Sequence, residues 1–325
     1  MMAHSNNHTF DYGTSGVLET IQHAEGAGLT IAGSGKDLQS ARAPRYRQCN
    51  GGTVALVAMA SDFPRMGQAS KSRPDLQGRP ALNPLTVSSK QITLWRSGSA
   101  NRLENRMPRL GDVLNFQLTL SWGARPSAKD QRANLDAISE AASNADIVVA
   151  SVHAHSQGQW LTEFAHQAIE RGASMVFVHG PHHVRGIEIY RGSPIFYSMG
   201  NFVFEPEFVA RHPVEAYEKA GIAHDAPMSE LMAVRDKLTK GLSGDRTAYE
   251  GFVTVLSCEN GKVKSIRLLP IDLQFDGADD RRGRPRLASG ELGRRIIDGV
   301  AMRSKRLGTR LRYVPEQGFG ELVPS

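Results

Sequence analysis

The sequence predicts an α/β protein, and three observations carry that prediction. Two apolar runs of strand length, residues 146–152 and 175–178, each lead into a histidine and are separated by one helical stretch. A third run, residues 53–59, is apolar throughout, as in a strand covered on both faces. Residues 251–258 and 262–269 flank Glu259, Asn260 and Gly261, which is a hairpin signal. Strand, helix, strand forms a βαβ unit, so its two strands run parallel. His153 and His179 then stand at the carboxyl ends of neighbouring strands, where open α/β sheets hold ligands.

The other elements follow in order. Asn6, Asn7 and His8 precede Phe10, Asp11, Tyr12 and Gly13. A helix follows, with Thr14 or Ser15 as cap and Val17, Leu18, Ile21 and Ala24 as its apolar face. Residues 29–32 form a short strand. The Gly33–Asp37 loop has the look of a phosphate loop, but Lys36 is followed by Asp37 rather than Ser or Thr. It reads as a strand-to-helix turn. Residues 61–108 are rich in Pro, Gly, Ser and Arg and read as a loop-rich insertion beside the mouth of the site. Residues 111–122 are a strand or a loop plus strand. Ser127 starts a helix with Asp130 in its first turn and Leu135, Ile138 and Ala142 inward. The crossover helix, residues 160–171, turns Leu161, Phe164, Ala168 and Ile169 inward and ends at Gly172.

Beyond His179 come two strands joined at Arg191-Gly192. Two amphipathic helical stretches follow in residues 206–246, broken by Pro213 and Pro227. Residues 289–306 form a terminal helix with Leu292, Ile296, Ile297 and Val300 inward, and the tail reads as loop. No repeat or linker divides residues 1–325, so the expectation is a single domain.

The formal charge of +6 and pI near 9.4 point to an anionic partner. The Lys and Arg residues are scattered without aromatic interleaving, which argues against nucleic acid. The segment from Arg281 to Arg286 and that from Arg303 to Arg312 suit phosphate or carboxylate, and equally a solvated surface. Two cysteines, Cys49 and Cys258, make neither a disulfide framework nor a thiolate zinc site. No apolar run is long enough to span a bilayer and no signal-peptide pattern opens the chain, so as written it reads as cytoplasmic.

Histidine carries the chemistry. Seven of the eleven fall in three clusters: His4 and His8; His153 and His155; His179, His182 and His183. Taken singly, His153 or His155 reads as a hydrogen-bonded structural residue, whereas the three clusters together read as a ligand set. Imidazole with amide or carboxylate oxygen suits Zn, Mn or Fe better than Mg or Ca. His153, His179 and His182 are the candidate metal ligands, and Asn7 adds an amide oxygen. A metal there activates water. His8 is the candidate acid. Asp11 is either its carboxylate partner or simply the residue that starts the helix. His155 and Arg185 are candidate substrate-binding groups. His4, His23, His166, His212 and His224 are expected on surfaces or helices, and Glu188 and Glu205 in structural or surface roles.

These residues resemble a known family. The segment Ser5 to Gly13 containing Asn6-Asn7-His8, the strand ending Val152-His153, the loop His179-Gly180-Pro181-His182, and the segment Ile195 to Phe202 are similar to the CapA proteins of poly-γ-glutamate capsule biosynthesis. Gly78-Arg79-Pro80, Asn83-Pro84 and Leu269-Pro270 extend the likeness. CapA proteins are relatives of the calcineurin-like metallophosphoesterases. The resemblance implies a four-layer αββα sandwich and a site that is dinuclear in the full-length family. It implies that Asn7, His153, His179 and His182 hold metal, with His8 as the acid. Val178 and His183 depart from the pattern. The family's Gly-Asp and Asn-Leu-Glu motifs precede the Asn-Asn-His segment, so the chain is expected to lack N-terminal strands and the carboxylate half of the site. The expected activity is metal-dependent phosphoester or amide hydrolysis on an anionic polymer or a small phosphorylated or peptidic substrate, with membrane partners in capsule synthesis. The alternatives are a peptide epimerase of the same fold, and an inactive remnant or accessory protein.

Overall fold

The computed structural model describes residues 1–96, 116–205, 212–239, 242–278 and 280–323. In chain order it runs β1 (Met2–Ala3), α1 (Gly13–Gly26), β2 (Ile31–Ala32), β3 (Ser34–Gly35), α2 (Leu38–Arg42), β4 (Arg45–Cys49), β5 (Gly52–Ala60), β6 (Ala81–Leu82), β7 (Val87–Arg96) and β8 (Phe116–Pro126). Next come α3 (Ala128–Asn144), β9 (Ile147–His153), α4 (Gln159–Glu170), β10 (Met175–His179), β11 (Ile187–Tyr190) and β12 (Ser193–Phe196). The remainder is α5 (Val214–Ala220), α6 (Met228–Thr239), β13 (Glu250–Glu259), β14 (Lys262–Asp272), β15 (Arg286–Leu287), α7 (Gly290–Lys305), β16 (Leu311–Val314) and β17 (Phe319–Leu322).

The protein is mixed α/β. A six-stranded sheet in the order β11-β12-β10-β9-β5-β4 forms its centre. β5, β9, β10 and β12 run parallel, and β4 and β11 close the two edges antiparallel. The expected βαβ unit is present as β9–α4–β10. Its helix buries Leu161, Phe164 and Ala168 against the sheet, while α3 brings Leu135, Ile138 and Ala141 to the same face. The inward alanine of α3 is therefore Ala141, not Ala142, which is exposed. Ser127 caps α3 by accepting from the Asp130 N–H, as its position implies.

The opposite face of the sheet presents Phe177, Ile187 and Phe196 to a second, antiparallel sheet, β13-β14-β17-β16, with β15 on β14. Phe252, Ile266 and Leu268 complete that core, and Ile297 and Val300 of α7 enter it too. The Ser304 hydroxyl of α7 accepts from the Ile187 N–H at 2.9 Å, tying the helix to the edge strand β11.

Three expectations need correction. The tail is not loop: β16 and β17 form a hairpin that extends the second sheet through β14. Each strand has only four residues, too few for periodicity to show, and the partner lies more than forty residues back in the chain. The stretch 61–108 is not loop throughout either. β6 pairs with β3, and β7 forms a long hairpin with β8. Residues 97–108 of that stretch, and 111–115 of the following one, lie outside the described residues. Finally, Thr14 and Ser15 sit inside the first turn of α1, whose N-cap is Tyr12 without a side-chain cap. The Gly33–Asp37 segment is the expected strand-to-helix turn, closed by a reciprocal cap between Asp37 and Ser40.

A buried polar knot holds the N-terminal segment onto the sheet. Asn83 and Asn134 are fully buried. The Asn83 amide donates to the Ala58 carbonyl at 2.9 Å and to Asn134 Oδ1 at 2.7 Å, and accepts from Arg42 Nε at 3.2 Å. The Asn83 backbone carbonyl accepts from the Ser5 hydroxyl at 3.1 Å. Arg42 also pairs with the Asp130 carboxylate at 3.3 Å. Buried polar groups stripped of a partner bear the full desolvation cost. Asn83→Ala should therefore destabilise the fold by about 3 kcal/mol in urea unfolding, more than Asn144→Ala on the exposed end of α3.

Candidate metal and substrate site

The site forms where β9 and β10 end. Their parallel register places His153 directly beside His179. The pairing runs one residue further, the Ala154 N–H donating to the His179 carbonyl at 2.8 Å. On the other flank the Ser61 N–H, just beyond β5, donates to the His153 carbonyl at 2.8 Å. Three consecutive strand ends thus fix the His153 backbone.

The imidazoles touch one another. Nδ1 of His153 lies 2.9 Å from Nδ1 of His179, and Nε2 of His153 lies 3.0 Å from Nε2 of His155. The Ser151 hydroxyl is 3.1 Å from His179 Nε2. The His155 and His182 rings face each other edge-on with centroids 5.7 Å apart. Each nitrogen–nitrogen contact requires one N–H and one lone pair, which neutral imidazoles provide and two imidazoliums cannot.

Electrostatics favour the same neutral state. Burial, reinforced by the neighbouring charges of His179, His155, His182 and His8, pushes His153 down to about 2. Burial and the charge of His155 lower His179 to about 4. His182 is lowered chiefly by burial, against the opposing hydrogen bond from Asn201. A neutral imidazole is the form that ligates metals.

The loop after β10 is shaped for this cluster. His182 adopts a left-handed backbone, with φ of 64°, unusual for a residue other than glycine. Its Nδ1 sits 2.9 Å from Asn201 Oδ1, and the Asn201 amide donates to the Ala248 carbonyl at 2.9 Å. Gly180 has φ of 121°, and a Cβ there would come within 3.1 Å of the Ala154 carbonyl oxygen and of the His155 ring. His183 turns away to Asp245, at 2.9 Å, and to the Pro181 carbonyl.

The predicted residues divide into two groups. His153, His155, His179 and His182 come together, with His8 near enough for its charge to act on His153 and His182. His8 is exposed and bonds Asp11 at 2.7 Å, so Asp11 does partner it. Asn7 is half-buried in the turn that follows β1. Arg185 is exposed, held by its backbone N–H to the Ser198 carbonyl. His4, expected on a surface, is half-buried and bonds Ser34 at 2.7 Å. His166 and Glu188 pair at 2.8 Å, and Glu188 also accepts from the Tyr197 hydroxyl.

Sequence reasoning passed over two residues. Asp62 accepts from the His155 N–H and the Ser61 hydroxyl, both at 2.8 Å, and so locks the turn after β9. Its only sequence signal is a Ser-Asp step straight after the buried strand β5. Asn201 orients His182, and its signal is the Gly200-Asn201 step after β12.

The donor set fits a nitrogen-preferring divalent ion. Two nitrogens 2.9 Å apart, as in His153 and His179, are close enough to serve as neighbouring ligands of one ion at about 2.0–2.1 Å, whereas the His155 contact uses the opposite nitrogen of His153 and faces a different point. Among the described residues no three His, Cys, Asp or Glu side chains already close around one point. The rings instead hydrogen-bond pairwise.

Residues 1–206 match the family model of the bacterial capsule synthesis protein PGA_cap. The chain belongs to the PGA_cap family. All four clustered histidines and Asn7, His8 and Asp11 lie within the matched residues. The uncharacterized protein y4sH of Sinorhizobium fredii is 29% identical over 98% of this chain and 75% of its own length. A probable polyglutamine synthesis accessory protein of Mycobacterium tuberculosis is 28% identical over 99% of this chain and 66% of its own. The capsule biosynthesis protein CapA of Bacillus anthracis is 26% identical over 62% of this chain and 39% of its own. Among the described residues of this PGA_cap chain, no helix is long and apolar enough to cross a membrane.

The buried neutral histidines set a pH dependence. Their folded pKa values lie below the unfolded value of 6.5, so between the two the unfolded chain binds more protons. Stability is complete above pH 6.5 and falls as pH drops below it, at up to about 1.4 kcal/mol per pH unit for each histidine still neutral. Urea unfolding at pH 7 and pH 5 should show this loss, and His153→Gln should reduce its slope.

Proposed function

We propose that this chain is a metal-dependent, hydrolase-like protein of poly-γ-glutamate capsule biosynthesis, acting on a phosphoester or on an amide of an anionic polymer. The observation that carries this reading is the packing of His153, His155 and His179 within 3.0 Å at adjacent strand ends. Family membership and the names of the capsule and polyglutamine relatives supply the biological setting. The proposed architecture is the four-layer αββα sandwich, consistent with two large sheets sharing one core.

In this reading His153, His179 and His182, with the Asn7 amide, hold a Mn, Fe or Zn ion. Such an ion, when bound, supplies a nucleophilic hydroxide near neutral pH. The chain's own residues do the rest. Asn201 fixes the His182 ring, and Ser151 fixes His179. Asp62 holds the His155 backbone so that its ring faces the cluster. His8, exposed and bonded to Asp11, can deliver a proton to a leaving group arriving from solvent. His155 and Arg185 are assigned to the substrate, Arg185 from the exposed rim. Membrane-associated capsule enzymes are the proposed partners.

A second reading, proton transfer at the Cα of a peptide, draws on the hydrogen-bonded chain from His155 through His153 to His179, a route along which a proton can move. Deuterium entering a peptide from heavy water without cleavage would distinguish it.

The direct test is metal content. Protein loaded with Mn or Zn should bind the ion tightly, and His179→Ala should weaken binding at least tenfold, with phosphodiesterase activity falling alongside. His166→Ala, away from the cluster, should leave both unchanged. Equal metal content in wild type and His179→Ala contradicts the proposal.

A further inference from the structure

A second cleft of about 310 Å³, lined by no histidine, lies beyond Phe204 and Tyr249 from His182. Arg246, Arg281, Arg286 and Arg295 stand around it, with half-buried Phe275 on its wall and the fully buried Tyr249 behind. Leu292, in the first turn of α7, lines it too, which brings the positive end of that helix to the cleft.

The charges are arranged asymmetrically. The carboxylates Asp272 and Glu250 lie at the base, with side chains only 11% and 13% exposed. The guanidiniums above them are far more open: 62% for Arg286, 57% for Arg295 and 47% for Arg246. Asp276 is the acidic residue that pairs at the rim, with Arg246 at 2.7 Å. Each guanidinium carries five N–H donors. Arg286 commits Nε and one terminal nitrogen to Asp272, and Arg246 and Arg295 each commit one terminal nitrogen to a carboxylate. Arg281 lies 3.9 Å from Asp280, beyond hydrogen-bond distance. Phe275 supports the Arg246 guanidinium from 4.8 Å, holding its plane in place. The lower carboxylates thus orient the forks while solvent-facing donors remain for an incoming anion.

A run of neighbouring rings joins the cleft to the histidines. Rings run from His182 through Phe204 and Tyr249 to Phe275, with successive centroids 6.0, 5.3 and 5.2 Å apart. The short turn Arg246–Tyr249 has Asp245, the partner of His183, immediately before it, and its Ala248 carbonyl receives Asn201.

We infer that this arginine-rimmed cleft is a binding subsite for the carboxylates of an acidic chain whose other part lies at the histidine cluster. The inference rests on the polymer reading above. Planar guanidinium forks at several points match a ligand that repeats carboxylates along its length, and the exposed part of Phe275 offers an apolar surface for an aliphatic stretch between them.

The test is binding of a fluorescent γ-linked glutamate decamer, followed by anisotropy. Arg281→Gln and Arg246→Gln alter exposed groups, so the fold should survive, and each should weaken binding about tenfold, with the double variant weaker still. A decamer carrying side-chain amides in place of carboxylates should fail to compete, and raising salt should weaken the acidic decamer. His179→Ala should bind the decamer within twofold of wild type. Wild-type affinity in both arginine variants, or equal competition by the amide decamer, overturns the subsite. If affinity instead follows His179→Ala alone, the subsite falls and the polymer reading stands. If wild type binds no decamer, both fall as regards the polymer, while metal binding stands on its own measurement.

Discussion

The parallel register of β9 against β10 is the constraint on which the site depends. It sets His153 opposite His179, and every other contact in the cluster is referred to that pair. A one-residue slip of either strand would move its histidine to the opposite face, away from the other. The slip is prevented by what lies behind the histidines. Val148, Ala150, Val152, Val176 and Val178 are packed under α3 and α4, while Phe177 stacks on Phe196 on the other face. The hydrophobic core therefore acts on the chemistry indirectly, by holding strand ends in fixed alignment.

That rigid placement has an electrostatic consequence. His153, His179 and His182, held this close and shielded from water, favour the uncharged form, with burial the larger cause and the charges of neighbouring imidazoles the smaller. Lone pairs suited to a divalent ion arise from the packing itself. The loop residues add direction: Gly180 allows close approach to His155, and Asn201 settles the ring of His182. The polar knot around Asn83 performs the matching task for the other side, fastening the segment that bears Asn7 and His8 through Ser5.

Much of this is legible in the sequence where the signal is local. The runs before His153 and His179, and the helix between them, show their periods plainly, so the βαβ unit and the pairing of its histidines follow from the residues alone. Long-range features are less legible. β16 and β17 are short and find their partner, β14, far back in the chain. Asp62 and Asn201 act through contacts that no spacing encodes, since each bonds a residue from another strand end. Arg185, a candidate substrate group, lies exposed at the turn into β11. The segment from Arg281 to Arg286, readable as either anion site or solvated surface, contributes two of the four guanidiniums at the second cleft.

The central claim is that the clustered imidazoles form a ligand set for a divalent ion rather than a hydrogen-bonded histidine core. Anomalous X-ray scattering at the manganese and zinc edges, from crystals grown with either ion, addresses it most directly. The account predicts a peak about 2.0–2.2 Å from a ring nitrogen of His179 and from one of His153 or His182. A cluster without a peak, its His153–His179 nitrogen contact still at 2.9 Å, would contradict it.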